Sequence, residues 1–178
     1  MVIVAMLALS FACRNEMKDI RAFDTPLDSL PGVSAYDIEF IYSDSARVQV
    51  RLMAPTMHNY EGEDPYMEFP DGFEVIFYDS VMNVKSRITA NYGINYRERR
   101  LMEAHSDVVV NNYETDEQLN TEELIWDQRK ELIYSNKFVK ITTADGVLYG
   151  DGLESDQTFS NRRIMNVSGE MMVDEENR

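Results

Sequence analysis

The second half of this chain carries one pattern three times, and that pattern constrains the fold more than any single residue does. Residues 87–92 with 100–105, 120–126 with 131–136, and 148–153 with 163–168 each combine an alternating stretch, a polar turn and a second alternating stretch; their anchors Leu101, Leu132 and Ile164 stand 31 and 32 residues apart. Alternation with period two reads as a strand that buries one face. A single strand-turn-strand unit has no core of its own, so such units must stack to remove their apolar faces from water.

Within the copies, Ile88, Ala90 and Tyr92 share a face, and Val108 and Val110 run into an Asn111-Asn112 turn. Leu124 and Trp126 alternate with Glu123 and Ile125, the chain turns at 128–130, and Leu132 and Tyr134 then alternate with Ile133. Ala144-Asp145-Gly146 is the clearest hairpin signal, because Asp-Gly tolerates the positive φ angles of a tight hairpin; it joins Val139 and Ile141 to Val147 and Tyr149. Upstream, Ile38, Phe40 and Tyr42, then Val48, Val50 and Leu52, predict two strands from Ala35 onward, joined at Ser43-Asp44-Ser45. Residues 73–78 are apolar on both faces, as in a central strand, whereas 55–72 hold Pro55, Pro65, Pro70 and Gly62 and predict a loop or an edge excursion. Strands at this density, with no helix of convincing length among them, predict an all-β sandwich, barrel or β-roll over residues 35–173, followed by an acidic tail at 174–178.

Hydrophobic residues make up 44% of the 178 and charged residues 28%, a globular balance with room for one domain and its appendages. The net charge of -15 argues against nucleic acid as a partner: 17 basic residues are dispersed among 32 acidic ones, and the densest basic cluster, Arg97, Arg99 and Arg100, is interleaved with Glu98 and Glu103.

The chain has one cysteine, Cys13, which excludes an internal disulfide and a thiolate zinc site. Residues 1–12 form an apolar run too short to span a bilayer as a helix, and Ala12 directly precedes the cysteine. This arrangement resembles a bacterial lipoprotein signal, which implies cleavage before Cys13, acylation of its sulfur and amine, and a firm membrane anchor. It differs in lacking a basic residue ahead of the run, which a start upstream of Met1 would supply, and in placing Ser10 where a branched aliphatic is usual. The competing reading of Cys13 is a buried free thiol closing a short helix. Residues 13–34, polar and broken by Pro26, Pro31 and Gly32, read as an extended N-terminal tether.

Catalytic chemistry has no starting residue here. His58 and His105 lack a partner at ligand spacing, and no nucleophile elbow, phosphate loop or HExxH is present, so neither a catalytic residue, a metal ligand set nor a cofactor is expected. The acids of residues 151–156 approach a calcium loop, but Leu153 interrupts the alternation. Asp28-Ser29-Leu30, Asp44-Ser45-Ala46 and Asp79-Ser80-Val81 resemble the Asp-Ser/Thr-aliphatic O-glycosylation acceptor of Bacteroidota; Asp-Ser is also ordinary turn chemistry.

Residues 119–127, 133–141 and 148–156 together resemble the core pattern of the LptC family and its LptA and OstA relatives, with the resemblance extending from about Ala35 to Gly169. The resemblance implies a β-jellyroll, two antiparallel sheets in a V or taco shape, and a relay that takes lipopolysaccharide from an inner-membrane ABC transporter and hands it to an LptA-like periplasmic protein by strand-edge docking. It further implies a periplasmic protein held at the inner membrane, here by Cys13 in place of a transmembrane helix. The inward candidates for contact with acyl chains are Ile88, Ala90, Tyr92, Val108, Val110, Leu124, Trp126, Leu132, Tyr134, Val139, Ile141 and Leu153. From the residues alone, the same set serves equally well as the filled core of a scaffold.

Overall fold

The structure, a computed structural model, describes residues 30–156, 159 and 161–171. The apolar run at 1–12, Cys13, the tether through Ser29 and the acidic tail lie outside the described residues. The described residues form 14 antiparallel strands: β1 (Val33–Asp44), β2 (Arg47–Tyr60), β3 (Tyr66–Phe69), β4 (Phe73–Tyr78), β5 (Val84–Ala90), β6 (Tyr92–Tyr96), β7 (Leu101–Asn112), β8 (Glu117–Asp127), β9 (Leu132–Ser135), β10 (Val139–Thr143), β11 (Gly146–Gly150), β12 (Gly152–Asp156), β13 (Arg162–Met165) and β14 (Ser168–Met171).

A line of backbone irregularities divides these strands into two layers. Asp37 (φ 50°) interrupts the β1–β2 ladder opposite Pro55, Asn91 separates β5 from β6, Ser106 and Asp107 (φ 63° and 53°) interrupt β7, Asp151 separates β11 from β12, and Asn166 (φ 50°) separates β13 from β14. Neighbouring bends are tied by backbone hydrogen bonds, from Asn91 N to Ser106 O and from Asp151 N to Met165 O, each 2.9 Å. On one side of this spine, in hydrogen-bonded order, lie 38–44 of β1, 47–54 of β2, β4, β5, 108–112 of β7, 117–121 of β8, β10, β11 and β14. On the other side lie 33–36 of β1, 56–60 of β2, β3, β6, 101–105 of β7, 123–127 of β8, β9, β12 and β13. The all-β antiparallel architecture is that of a β-jellyroll, with β1 as the edge of both layers at one end and β13 and β14 at the other.

Each of the three sequence copies begins in the first layer, at 87–90 of β5, 120–121 of β8 and 148–150 of β11, and crosses the spine into a second-layer hairpin, β6–β7, β8–β9 or β12–β13. Their turns bring Arg100, Glu131 and Phe159 to φ 54°, 54° and 56°, the left-handed residue that lets a longer hairpin loop rejoin its strand.

Burial declines away from the spine. Beside the bends, the small side chains of Ala54, Thr56, Ala90, Ala104, Thr121 and Ser135 alternate with the large ones of Phe69, Phe73, Val108, Leu124, Val139 and Leu153, all of them buried. Val75, Val110, Leu119, Ile133 and Ile141 lie in the next row, each buried and each contributing about 1.5–3 kcal/mol relative to exposure. Met102 and Trp126 in that row, and Val50 and Phe77 beyond it, are only partly covered.

Three local expectations are corrected. Residues 55–72 are neither one loop nor an edge excursion: β2 continues through Pro55 to Tyr60, and β3 follows at Tyr66–Phe69 between β2 and β6. Pro55 is tolerated because it sits at a bend opposite Asp37 (φ 50°), where the β1–β2 ladder is interrupted. The first hairpin turns at Ser45 and Ala46 (φ 51° and 61°), so Ser43 and Asp44 belong to β1. Asn112 ends β7 rather than turning the chain; its Oδ1 accepts from Glu114 N at 3.0 Å and Thr115 N at 3.3 Å and so fixes the turn that follows.

Candidate functional site

The surface with the most distinctive chemistry is the pair of inner faces. Ladder pairing places Ile88, Ala90, Val108, Val110, Val139 and Ile141 on the inner face of the first layer and Leu124, Trp126 and Leu153 on that of the second. Tyr92, Leu132 and Tyr134 are placed on the opposite, outward face. Tyr134 pairs with Ile125 and Leu132 with Asp127, whereas the buried Ile133 pairs with Trp126. Tyr92 pairs with His105 beside the buried Gly93–Ala104 pair, because the bend at Asn91 reverses the parity that alternation through Ala90 implied.

The outward tyrosine has its own environment. Tyr92 Oη donates to Glu68 Oε1 at 2.7 Å, and burial followed by that carboxylate pushes the phenol well above its ordinary pKa, so it remains a neutral donor. Tyr66 stacks on Tyr60 at 4.5 Å between ring centroids, and Arg99 lies 4.7 Å above the Tyr96 ring.

Residues that alternation missed complete the inner face. Phe69 is almost fully buried, yet its proline-rich surroundings hid it; Ile133 lay between two equally apolar neighbours and gave no signal of its own. Ser135, also without exposure, belongs to a polar seam at the spine. Thr121 Oγ1 donates to Phe138 O at 3.0 Å, the Ser135 hydroxyl, 3.1 Å from Thr121 Oγ1, donates back to it, and Ser135 Oγ accepts from Lys137 N at 3.1 Å. The seam thus satisfies its own buried polar groups.

The inner faces meet closely. A cavity of about 30 Å³ lies between them, lined by Val110, Leu119 and Ile141 from the first layer and Leu153 from the second, with Phe159 closing it. That volume suits about one water molecule. Two larger hollows are open to solvent: one of about 560 Å³ beside the spine, with Asp37, Glu39, Asp71 and Glu74 on its walls, and one of about 790 Å³ at the rim around Glu131, Glu154 and Arg163. Among the described residues no group of three or more His, Cys, Asp or Glu is arranged to hold a metal, and no helix is long and apolar enough to cross a membrane. Ser45 and Ser80 occupy exposed turns at the tips of β1–β2 and β4–β5; Asp79 Oδ1 already accepts from Val81 N and Asn83 N, which accounts for that Asp-Ser as turn chemistry.

Two layers of antiparallel strands around an apolar interior place the chain in the β-jellyroll class. The family described as "LptC: Lipopolysaccharide-assembly, LptC-related" matches residues 1–167, and the chain belongs to that family. No curated protein matches it. Membership assigns the chain to lipopolysaccharide export, in a family of non-catalytic, periplasmic components associated with the inner membrane.

Proposed function

We propose that this protein is a relay in lipopolysaccharide export: it accepts lipopolysaccharide from an inner-membrane ABC transporter, holds the acyl chains between its two layers, and passes the lipid to an LptA-like jellyroll docked edge to edge. The observation that carries the reading is the decline of burial across the inner faces, complete beside the spine and only partial at Val50, Phe77, Met102 and Trp126 toward the free ends of the strands. A wedge of this kind gains width by parting at its rim while the spine stays closed. Each acyl methylene brought out of water contributes about 0.8 kcal/mol, so chains of ordinary length supply affinity without a charged partner. The net charge of -15 opposes lipid phosphates and makes the acyl chains the recognised portion.

Unpaired edges suit the docking step. Strand β1 exposes Tyr36, Phe40, Ile41 and Tyr42, and among the described residues it pairs with β2 alone. The Cys13 anchor belongs to the same reading: acylation there holds the jellyroll at the periplasmic face of the inner membrane.

A second reading is favoured by the 30 Å³ cavity: a scaffold lipoprotein with a closed core, in which the jellyroll only assembles partners. Photocrosslinking in growing cells separates the two. Probes at Val110, Leu124 and Trp126 are expected to form adducts with lipopolysaccharide, while probes at the outward Tyr92, Leu132 and Tyr134 are not. Equal labelling of both sets, or none at all, discards the relay in favour of the scaffold. A clickable fatty acid is expected to label the wild type and not Cys13→Ala; label that persists in the variant refutes the anchor.

A further inference from the structure

We propose that Glu117 and Arg162 form a clasp that holds the free edges of the two layers together near the β13 end, and that acyl chains reach the inner face there only when the clasp opens. This inference rests on the transport reading above and names the element that regulates access to its site.

The clasp is distinguished by where it sits. Glu117 is the first residue of β8, at the free end of the first layer, and Arg162 is the first residue of β13, at the free end of the second. The guanidinium meets the carboxylate with two parallel hydrogen bonds, Nη1 to Oε2 and Nη2 to Oε1, each 2.5 Å. Thr115 Oγ1 donates a further bond to Glu117 Oε2 at 3.0 Å. The pairs Arg51–Glu39, Lys85–Glu114, Arg87–Glu74, Arg99–Asp64 and Arg163–Glu154 each join neighbours inside one layer. Glu117–Arg162 instead crosses from one layer to the other.

Its surroundings are also unlike a surface pair. The Arg162 and Glu117 side chains are 29% and 17% exposed, and directly behind them lies the 30 Å³ cavity lined by Val110, Leu119, Ile141, Leu153 and Phe159. The pair itself lines the outer limit of this space between the layers. Bidentate Arg–carboxylate geometry fixes the separation of its two backbones, which a single-point contact would not do. Parting the layers wide enough for a hydrocarbon chain stretches that fork first. Because lipid binds only the parted state, the closed population subtracts directly from apparent affinity, and weakening the clasp raises uptake.

The test uses the full-length chain, purified rough-type lipopolysaccharide as the probe, and the emission of Trp126, the single tryptophan, as an inner-face reporter. Glu117→Arg and Arg162→Glu, which set like charges against each other, are each expected to raise apparent affinity roughly fivefold. The double charge exchange rebuilds the pair in reverse and is expected to return affinity to the wild-type value. Glu117→Gln, nearly isosteric and uncharged, covers the case in which a charge reversal prevents folding and is expected to give a smaller rise in the same direction. Folded variants that bind no better than wild type, or a double exchange that does not reverse the single effects, overturn the clasp and leave the relay standing. A wild type that takes up no lipid overturns the relay and the clasp with it.

Discussion

Gly93 lies under the ring of Phe73 where the two layers meet: a Cβ built on Gly93 falls 2.4 Å from Phe73 Cε1 and 2.6 Å from Cδ1. The ring has little room to retreat, because Phe69 stands 5.7 Å away between centroids and Phe73 itself is 6% exposed. Gly93→Ala is therefore expected to destabilise the fold by about 1–3 kcal/mol through overpacking. Urea denaturation checks the value. A Phe73→Leu change made in the Gly93→Ala background is expected to recover part of the loss, since it removes the atoms that collide; a loss unchanged by the second substitution points to backbone strain instead.

The hydroxyl of Thr121 holds the polar seam at the spine together. Thr121→Val keeps the shape but takes the acceptor from the fully buried Ser135 hydroxyl and one donor from the part-buried Phe138 carbonyl, which costs about 1–3 kcal/mol. Thr121→Ser retains the hydroxyl and is expected to lie within about 1 kcal/mol of wild type, the worth of one methyl group. The two midpoints in urea are expected to separate in that order, and coincident midpoints contradict the hydrogen-bond account.

Alternation in the sequence captured the strands that run straight within one layer. Val108, Val110, Val139 and Ile141 were assigned to the inner face because nothing between them breaks the period. It failed at the bends, which are encoded by backbone geometry rather than by hydrophobicity. Tyr92 was carried outward by the bend at Asn91, and no apolar residue marks that reversal. Leu132 and Tyr134 were assigned inward because Leu132-Ile133-Tyr134 is apolar on both faces; the small polar Ser135, whose burial would have set the phase, looks like a surface residue until its partner Thr121 is known. Glu117 and Arg162 are 45 residues apart, and no sequence period links them.

The acid limb of stability carries a signature of the same ion pair. The Arg162 guanidinium, bonded to it, holds the Glu117 carboxyl below the usual carboxylate range, and Thr115 adds to the effect against the opposing cost of burial. A group whose folded pKa is depressed stabilises the protein above its unfolded pKa, and that contribution is lost as pH falls through the folded value. Between about pH 7 and 5 the contribution is therefore full, and it declines below the ordinary Glu range of about 4.3. Glu117→Gln is expected to lower stability at pH 7 and to flatten its decline in acid. Melting temperatures taken from pH 7 down to pH 3 check this, and parallel curves for the two proteins exclude the pair as a contributor.

Edge docking makes a separate demand on β1. Tyr36, Ile41 and Tyr42 are 71%, 55% and 64% exposed, so lysine at Ile41 and Tyr36 changes stability by less than about 0.5 kcal/mol while placing charge where another strand must add. The expectation is an unchanged melting temperature with loss of the crosslinks that a photoreactive residue at Phe40 forms to another export component. Crosslinks that survive the double lysine substitution show that β1 is not the docking edge.

Trp126 gives the last and most asymmetric expectation. Its indole Nε1 is buried without an acceptor among the described residues, although the ring packs against the core beside Ile133 and Met102. A buried donor without a partner costs about 1–3 kcal/mol, so the tryptophan forfeits much of what its apolar area contributes. Trp126→Phe removes the donor along with part of the ring volume, and the two effects oppose one another. The net change is expected to stay within about 1 kcal/mol, whereas Leu124→Ala, two residues nearer the spine, removes only packing and costs about 2–5 kcal/mol. Equilibrium unfolding of the two variants under one set of conditions decides it. A phenylalanine variant as damaged as Leu124→Ala means that the indole N–H has a partner, water or another group, in the protein in solution.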